Sequence, residues 1–192
     1  MLASASPRRA ELLARAGQAF DVVASGAQEV PRANESPYEF ASRVAREKAC
    51  AVALRAPGRP VLAADTIVVV DDTIFGKPSD PREAAAMLSR LSGRAHEVAT
   101  AFMLLAPRGR ELAAQCVVTS VVFRTLSRDE IDSYVATTEP LDKAGAYAIQ
   151  GGANGFVRSI RGSLTNVIGL PMEEVERALR AARLWREARV SA

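Results

Sequence analysis

The stretch Val61-Leu62-Ala63-Ala64-Asp65-Thr66-Ile67-Val68-Val69-Val70 restricts the fold more than any other part of the chain. An apolar, β-branched run without alternation reads as a strand covered on both faces, which requires other layers of structure on either side of a sheet. A lone carboxylate inside such a strand is costly unless it is paired, hydrogen-bonded or metal-bound. Two readings of Asp65 are open: a charge held at a functional site, or a strand-end aspartate that points to solvent beyond the sheet. Thr66 beside it is either a hydroxyl donor or simply a β-branched strand residue.

The covering layers are legible around this strand. Ser6, Pro7, Arg8 and Arg9 read as N-cap, N1, N2 and N3 of a helix that Gly17 closes. The segment QAFDVVAS then predicts a short strand, followed by a polar loop that contains Glu29. Ser36-Pro37-Tyr38-Glu39 is a capping box for a long helix that stops before Pro57-Gly58. Asp80-Pro81-Arg82-Glu83 repeats the signal for a helix closed at Gly93. Two long β-type runs, HEVATAFMLLA and ELAAQCVVTSVVFRTL, flank Pro107-Arg108-Gly109-Arg110 and predict an antiparallel hairpin. Ser127-Arg128-Asp129-Glu130 caps one more helix, Glu139 to Gly169 reads as glycine-rich loop, and Pro171 begins a last helix. The expectation is a single domain over residues 1–192, an α/β fold whose mixed sheet and flanking helices divide into two lobes around a central cleft.

Cations in the first turn of a helix oppose its dipole, so Arg8 and Arg9 imply a missing anion. A phosphate on that helix end would be met by backbone N–H groups, serine hydroxyls and two guanidinium forks. Net charge bounds the partner: 25 basic residues are offset by 22 acidic ones to give +3, and only 5% of residues are aromatic. A long nucleic-acid groove is therefore not expected, and a single compact anion fits better. No apolar stretch is long enough to span a membrane and no basic region leads into a cleavable apolar run, so a soluble cytoplasmic protein is expected. Cys50 and Cys116 lack metal-binding spacing and read as reduced, buried and structural.

Other residues carry chemistry only in combination. Lys48 lies four residues after Val44, on the apolar side of its helix, where it must snorkel or meet an anion. Lys77 sits between Gly76 and Pro78, either aimed at a phosphate or solvated in a turn. Glu29 is one acid among several polar loop residues. His96, the only histidine, reads as structural. With no His and Cys at metal spacing, any metal must be oxygen-bound, which points to Mg²⁺ or Mn²⁺ held by carboxylates and substrate phosphates. Gln150 has an amide that both donates and accepts, as reading a base edge requires, and Gly151 and Gly152 would let backbone approach a ligand.

The segments SASPRR, AREKA, AADTIVVVDDTIFGKP, GRAHEVATA, EPLDKAGAYAIQG and GSLTNVIGLP occur in the order found in the Maf family, and the chain resembles that family over nearly its whole length. The resemblance implies a two-lobed fold related to the inosine triphosphate pyrophosphatases, a divalent metal and, commonly, a homodimer. It implies phosphate binding by Ser4, Ser6, Arg8 and Arg9, functional and metal-holding carboxylates in Glu29 and Asp65, and cationic roles for Lys48 and Lys77. Asp65-Thr66 and Ala148-Ile149-Gln150-Gly151 resemble the branch that hydrolyses dTTP and UTP to the monophosphate and pyrophosphate, with Thr66 and Gln150 toward the base. Ala5, where glycine is frequent, and Leu164, where an aromatic residue is usual, depart from the pattern. The alternative is a nucleotide- or nucleic-acid-binding regulator of septum formation without turnover, which would need the phosphate loop but not the two carboxylates.

Overall fold

A computed structural model describes residues 1–186. The described chain divides into two compact units, one made of Met1–Asp65, Thr100–Val117 and the described part of Gly169–Ala192, the other of Thr66–Ala99 and Val118–Ile168. The elements are β1 (Leu2–Ala3), α1 (Pro7–Arg15), α2 (Pro37–Arg55), β2 (Val61–Val70), β3 (Thr73–Phe75), α3 (Pro81–Leu91), β4 (Ala95–Leu105), β5 (Glu111–Phe123), α4 (Arg128–Val135), β6 (Val157–Arg161), α5 (Leu164–Ile168) and α6 (Met172–Ala181). Their sheet is mixed α/β architecture, with strand order β1-β2-β4-β5-β6 and β3 paired to β2. β1 runs parallel to β2, whereas β3 on β2 and β6 on β5 are antiparallel. A connection as short as Pro107–Arg110 makes β4 and β5 an antiparallel hairpin.

In the first unit α1 ends in a Schellman motif: Gly17 N donates to Ala14 O at 2.9 Å and Gln18 N to Leu13 O at 3.1 Å, with Gly17 at φ 71°. The capping box of α2 forms in both directions between Ser36 and Glu39. Val44, Lys48 and Val52, each one turn apart, share the buried stripe of α2 with Ala41, Ala45 and Ala49. QAFDVVAS is not a strand: it contributes a single bridge, Leu2 with Val22. Among the described residues its partner is β1, which is two residues long, so the ladder has nowhere to extend.

In the second unit α3 and α4 start at the capping residues Asp80 and Ser127, each accepting from the N–H three residues on. The Glu83 carboxylate reaches back past Asp80 to Ser79, accepting from its N–H at 2.7 Å and its hydroxyl at 2.6 Å. An edge-to-face cluster of His96, Phe123, Tyr147, Phe156 and Tyr134 forms the aromatic part of this core. The segment expected as irregular loop contains β6 and α5. Buried Asn166 ties α5 to the strands, donating from Nδ2 to Val98 O at 2.9 Å and to Thr119 Oγ1 at 3.0 Å.

The cysteines depart from expectation. Cys50 is exposed on α2 and Cys116 is partly exposed on β5, so neither is a buried core residue. Cys50 follows Lys48 and Ala49 off the buried stripe, and the helical period carries it to the outer face. No described helix is long and apolar enough to cross a membrane.

Candidate active site

The buried strand carries its aspartate inward. Asp65 is 4% exposed, and its Oδ1 accepts from Lys48 Nζ at 2.6 Å. Lys48 Nζ lies equally close to Glu29 Oε1, at 2.6 Å, so one ammonium bridges two carboxylates. The lysine on the apolar stripe of α2 thus meets an anion rather than snorkelling, and Asp65 does not point to solvent. Burial pushes the Asp65 carboxyl above its ordinary value, and the Lys48 ammonium pulls it back. Replacing such a buried pair by apolar residues is often neutral or stabilising, so its presence asks for a chemical reason.

Glu29 itself is exposed, on a loop with little regular structure. Arginines of α2 stitch that loop down. Arg43 donates from Nη2 to Val30 O at 2.9 Å and to Glu35 Oε2 at 2.7 Å, while its Nε reaches Glu35 Oε1 at 2.6 Å. Arg55 Nη2 donates to Ala24 O at 2.7 Å on the other side of Glu29. Neither arginine was a candidate in the sequence. One local signal was available for Arg43: Glu47, four residues on along α2, which it meets at 3.1 Å.

The start of α1 holds Ser4, Ser6, Arg8 and Arg9. Ser6 occupies the N-cap position with extended backbone but makes no side-chain cap bond; Ser4 Oγ instead accepts from Ser6 N at 3.1 Å. Arg9 is buried, donating from Nε to Gly169 O at 2.7 Å and from Nη1 to Ser4 Oγ at 3.2 Å. Desolvation lowers its pKa, and the charges of Asp65 and Glu29 counter that. Arg8 is only partly buried, and no acidic side chain occupies the first turn of α1. The two adjacent arginines are therefore not equivalent: Arg9 is built into the fold, and Arg8 is presented.

The second unit holds Thr66, Lys77 and Gln150. Thr66 is half-buried, directly after Asp65 in β2, while Lys77 and Gln150 are exposed. Gly145 N donates to Gly76 O at 3.0 Å, fixing the Lys77 turn to the segment that leads to Gln150. Gly145, at φ 68°, has no room for a side chain, because a Cβ there would come within 2.8 Å of Val68. Gln150 sits third in a turn closed by Gly151 N to Ala148 O at 3.0 Å. The glycines after it do not open the backbone to a ligand: a Cβ at Gly151 would fall 1.9 Å from Glu139 Oε1, and one at Gly152 would fall 3.0 Å from the Tyr134 ring. They make room for Glu139 and Tyr134. His96 is buried, its Nε2 2.9 Å from Tyr147 Oη.

Among the described residues no group of three or more His, Cys, Asp and Glu side chains gathers as a metal cage. The donor set still suits a hard cation, because Glu29 and Asp65 bring two carboxylates to one positive centre. The remaining ligands would have to come from water and substrate phosphates.

Fold and site together define an α/β protein that gathers arginines at a helix start and paired acids around a buried lysine. The sequence profile described as Maf-like protein matches residues 1–182, and the chain belongs to the Maf family. Among its relatives are proteins named dTTP/UTP pyrophosphatase from Geobacter sulfurreducens, 54% identical over 94% of both chains, and from Myxococcus xanthus, 49% identical over 97% of this chain and 95% of that one. A third, from Syntrophus aciditrophicus with the same name, is 48% identical over 94% of this chain and 88% of its own. A solved structure titled Nucleoside-triphosphatase / dITP/XTP pyrophosphatase, from Mycobacterium abscessus, aligns over 95% of this chain and 94% of its own at 17% identity and a TM-score of 0.42, too slight a likeness to carry an argument.

Proposed function

We propose that this protein is a nucleoside triphosphate pyrophosphatase that hydrolyses dTTP and UTP between the α- and β-phosphates, releasing the monophosphate and pyrophosphate. The observation that carries the reading is the bridge from Lys48 Nζ to Asp65 and Glu29, each at 2.6 Å. A protein that only bound nucleotide would need cations for the phosphates. It would have no use for two carboxylates held against a buried ammonium at a cost in desolvation. The relatives' shared name, dTTP/UTP pyrophosphatase, supports the same substrate class.

The residues divide the work. Ser4 Oγ already accepts from Ser6 N and Arg9, which leaves its O–H to donate to a phosphate oxygen. Arg8 and Arg9 hold and polarise the phosphates together with Ser6 and the N–H groups of the first turn of α1. Asp65 orients the attacking water and takes its proton, since a carboxylate raised by burial is a better base than one in solvent. Lys48 keeps that carboxylate ionised and in place. Lys77 adds positive charge for the leaving pyrophosphate, and Thr66 and Gln150 contact the base and its surroundings. Glu29 and Asp65 would hold Mg²⁺ or Mn²⁺, which supplies charge neutralisation at the phosphates. The chain acts as one functional domain, and sedimentation equilibrium checks the homodimer that family membership implies.

The test is to incubate the purified protein with dTTP, UTP and 7-methyl-GTP plus Mg²⁺ or Mn²⁺ and to resolve the products. Pyrophosphate from dTTP and UTP is expected. Orthophosphate would overturn the bond assignment, and tight binding without turnover would favour a nucleotide-binding regulator instead.

A further inference from the structure

Gln150 as a base contact leaves a physical problem. A primary amide pairs with the edge of uracil or thymine by donating to a carbonyl and accepting from N3–H, but turned over it pairs equally well with adenine. The residue type alone therefore does not select a pyrimidine. Selection requires that the backbone carrying the amide be held at one distance and angle from the rest of the nucleotide.

The structure holds that backbone from both sides. Before Gln150, Ala148 N donates to Tyr134 Oη at 3.0 Å. After it, Gly152 N donates to Glu139 Oε2 at 3.0 Å. Tyr134 and Glu139 thus grip the turn at its two ends. One residue further out, Tyr147 Oη pairs with His96 Nε2 at 2.9 Å. The fit is steric as well as polar, because Gly151 approaches Glu139 so closely that a methyl group would overlap its carboxylate.

The two contacts are also maintained against backbone strain. Thr138, which leads into Glu139, lies at φ 63°, and Ala146, just before Tyr147, lies at φ 59°. Left-handed backbone is unfavourable for an alanine and more so for a β-branched threonine, and such residues persist where their surroundings over-determine them. Both stand at the ends of the segments that this network joins.

We propose that Tyr134 and Glu139 are positioning residues for base selection: they fix the Ala148–Gly151 turn so that Gln150 accepts uracil and thymine and rejects larger bases. The inference rests on the reading of Gln150 as the base contact. Neither residue touches the phosphates or the reacting atoms, so their effect falls on discrimination and KM rather than on the chemical step.

The experiment compares kcat/KM for UTP and for ATP in the full-length protein with Glu139→Ala, Glu139→Gln, Tyr134→Phe, Gln150→Ala and the Glu139→Ala/Gln150→Ala pair. Glu139→Ala is expected to lower the UTP-to-ATP ratio about tenfold, the scale of one lost hydrogen bond, mainly through KM. Glu139→Gln keeps an acceptor for Gly152 N and should restore most of the ratio. Tyr134→Phe, which deletes a single oxygen, should lower the ratio without depending on the fate of the glutamate variant. The double variant should discriminate no worse than Gln150→Ala alone, because the clamp acts through Gln150. Loss of the ratio in Gln150→Ala but not in Glu139→Ala or Tyr134→Phe would overturn the clamp and leave the base contact standing. An equal fall for UTP and ATP in the clamp variants would also overturn it. An unchanged ratio in Gln150→Ala would overturn the base contact, and the clamp with it.

Discussion

Lys48 and Asp65 face each other at 2.6 Å inside the protein, with side chains 8% and 5% exposed, and the same ammonium reaches out to Glu29. The two ends of this bridge respond differently to mutation. Asp65→Asn removes the charge but keeps the shape, and Lys48 retains Glu29. Turnover should be lost while the thermal melt stays close to wild type. Lys48→Met strands a buried carboxylate without its cation, a change that commonly costs about 3–5 kcal/mol. It should abolish activity and also lower the melting temperature clearly. Differential scanning fluorimetry alongside a pyrophosphate assay separates the two; full activity in Asp65→Asn would remove Asp65 from the chemistry.

Arg8 and Arg9 should separate in the same pair of measurements. Arg9→Lys gives up the fork that joins Gly169 O to Ser4 Oγ, so it should lower the melting temperature even without substrate. Arg8→Ala should leave the melt nearly unchanged and raise KM for the triphosphate, since its guanidinium is partly exposed at the helix start. Equal melts for both variants would contradict the division of labour between them.

His96 predicts a pH dependence of stability. Burial lowers its pKa from 6.5 to about 4. Between those values the unfolded chain binds a proton that the folded chain excludes, so stability falls as the pH drops through this window and the loss is complete below about 4. The shift corresponds to roughly 3 kcal/mol. Urea unfolding between pH 7 and pH 4 should show this slope, and His96→Gln should flatten it. A slope unaltered by the substitution would assign the acid sensitivity elsewhere.

Chelation tests the carboxylates in another way. Treatment with EDTA should stop hydrolysis, and Mg²⁺ or Mn²⁺ should restore it. Glu29→Gln should need more metal for half-maximal rate than wild type, because one of its two oxygen donors loses its charge. Unchanged activity in EDTA would exclude a metal from the reaction.

How much of this was legible in the chain depends on whether the signal was local. The helix starts at Ser36, Asp80 and Ser127 were readable because a cap is a bond between residues three apart, and each forms. The place of Lys48 on the apolar stripe of α2 was readable from the helical period, but its partners were not. Asp65 is 17 residues away, and only the packing of α2 on β2 brings it within reach. The strand expected at QAFDVVAS failed for the same reason in reverse: its composition suits a strand, but the partner it needed is two residues long. Arg55 was missed because its partners are backbone carbonyls, which any sequence supplies everywhere, and Arg43 because Glu35 and Val30 lie outside its own helix. The glycines at 151 and 152 were noticed for the right property, absence of a side chain, and given the wrong neighbour.

That neighbour changes what mutational tolerance should look like across the chain. Gly151 bears no functional group and contacts no proposed substrate atom, yet an added methyl at this position would overlap the Glu139 carboxylate. Because that carboxylate is the free end of a flexible side chain, Gly151→Ala should push it off Gly152 N and lower the UTP-to-ATP ratio about as far as Glu139→Ala does.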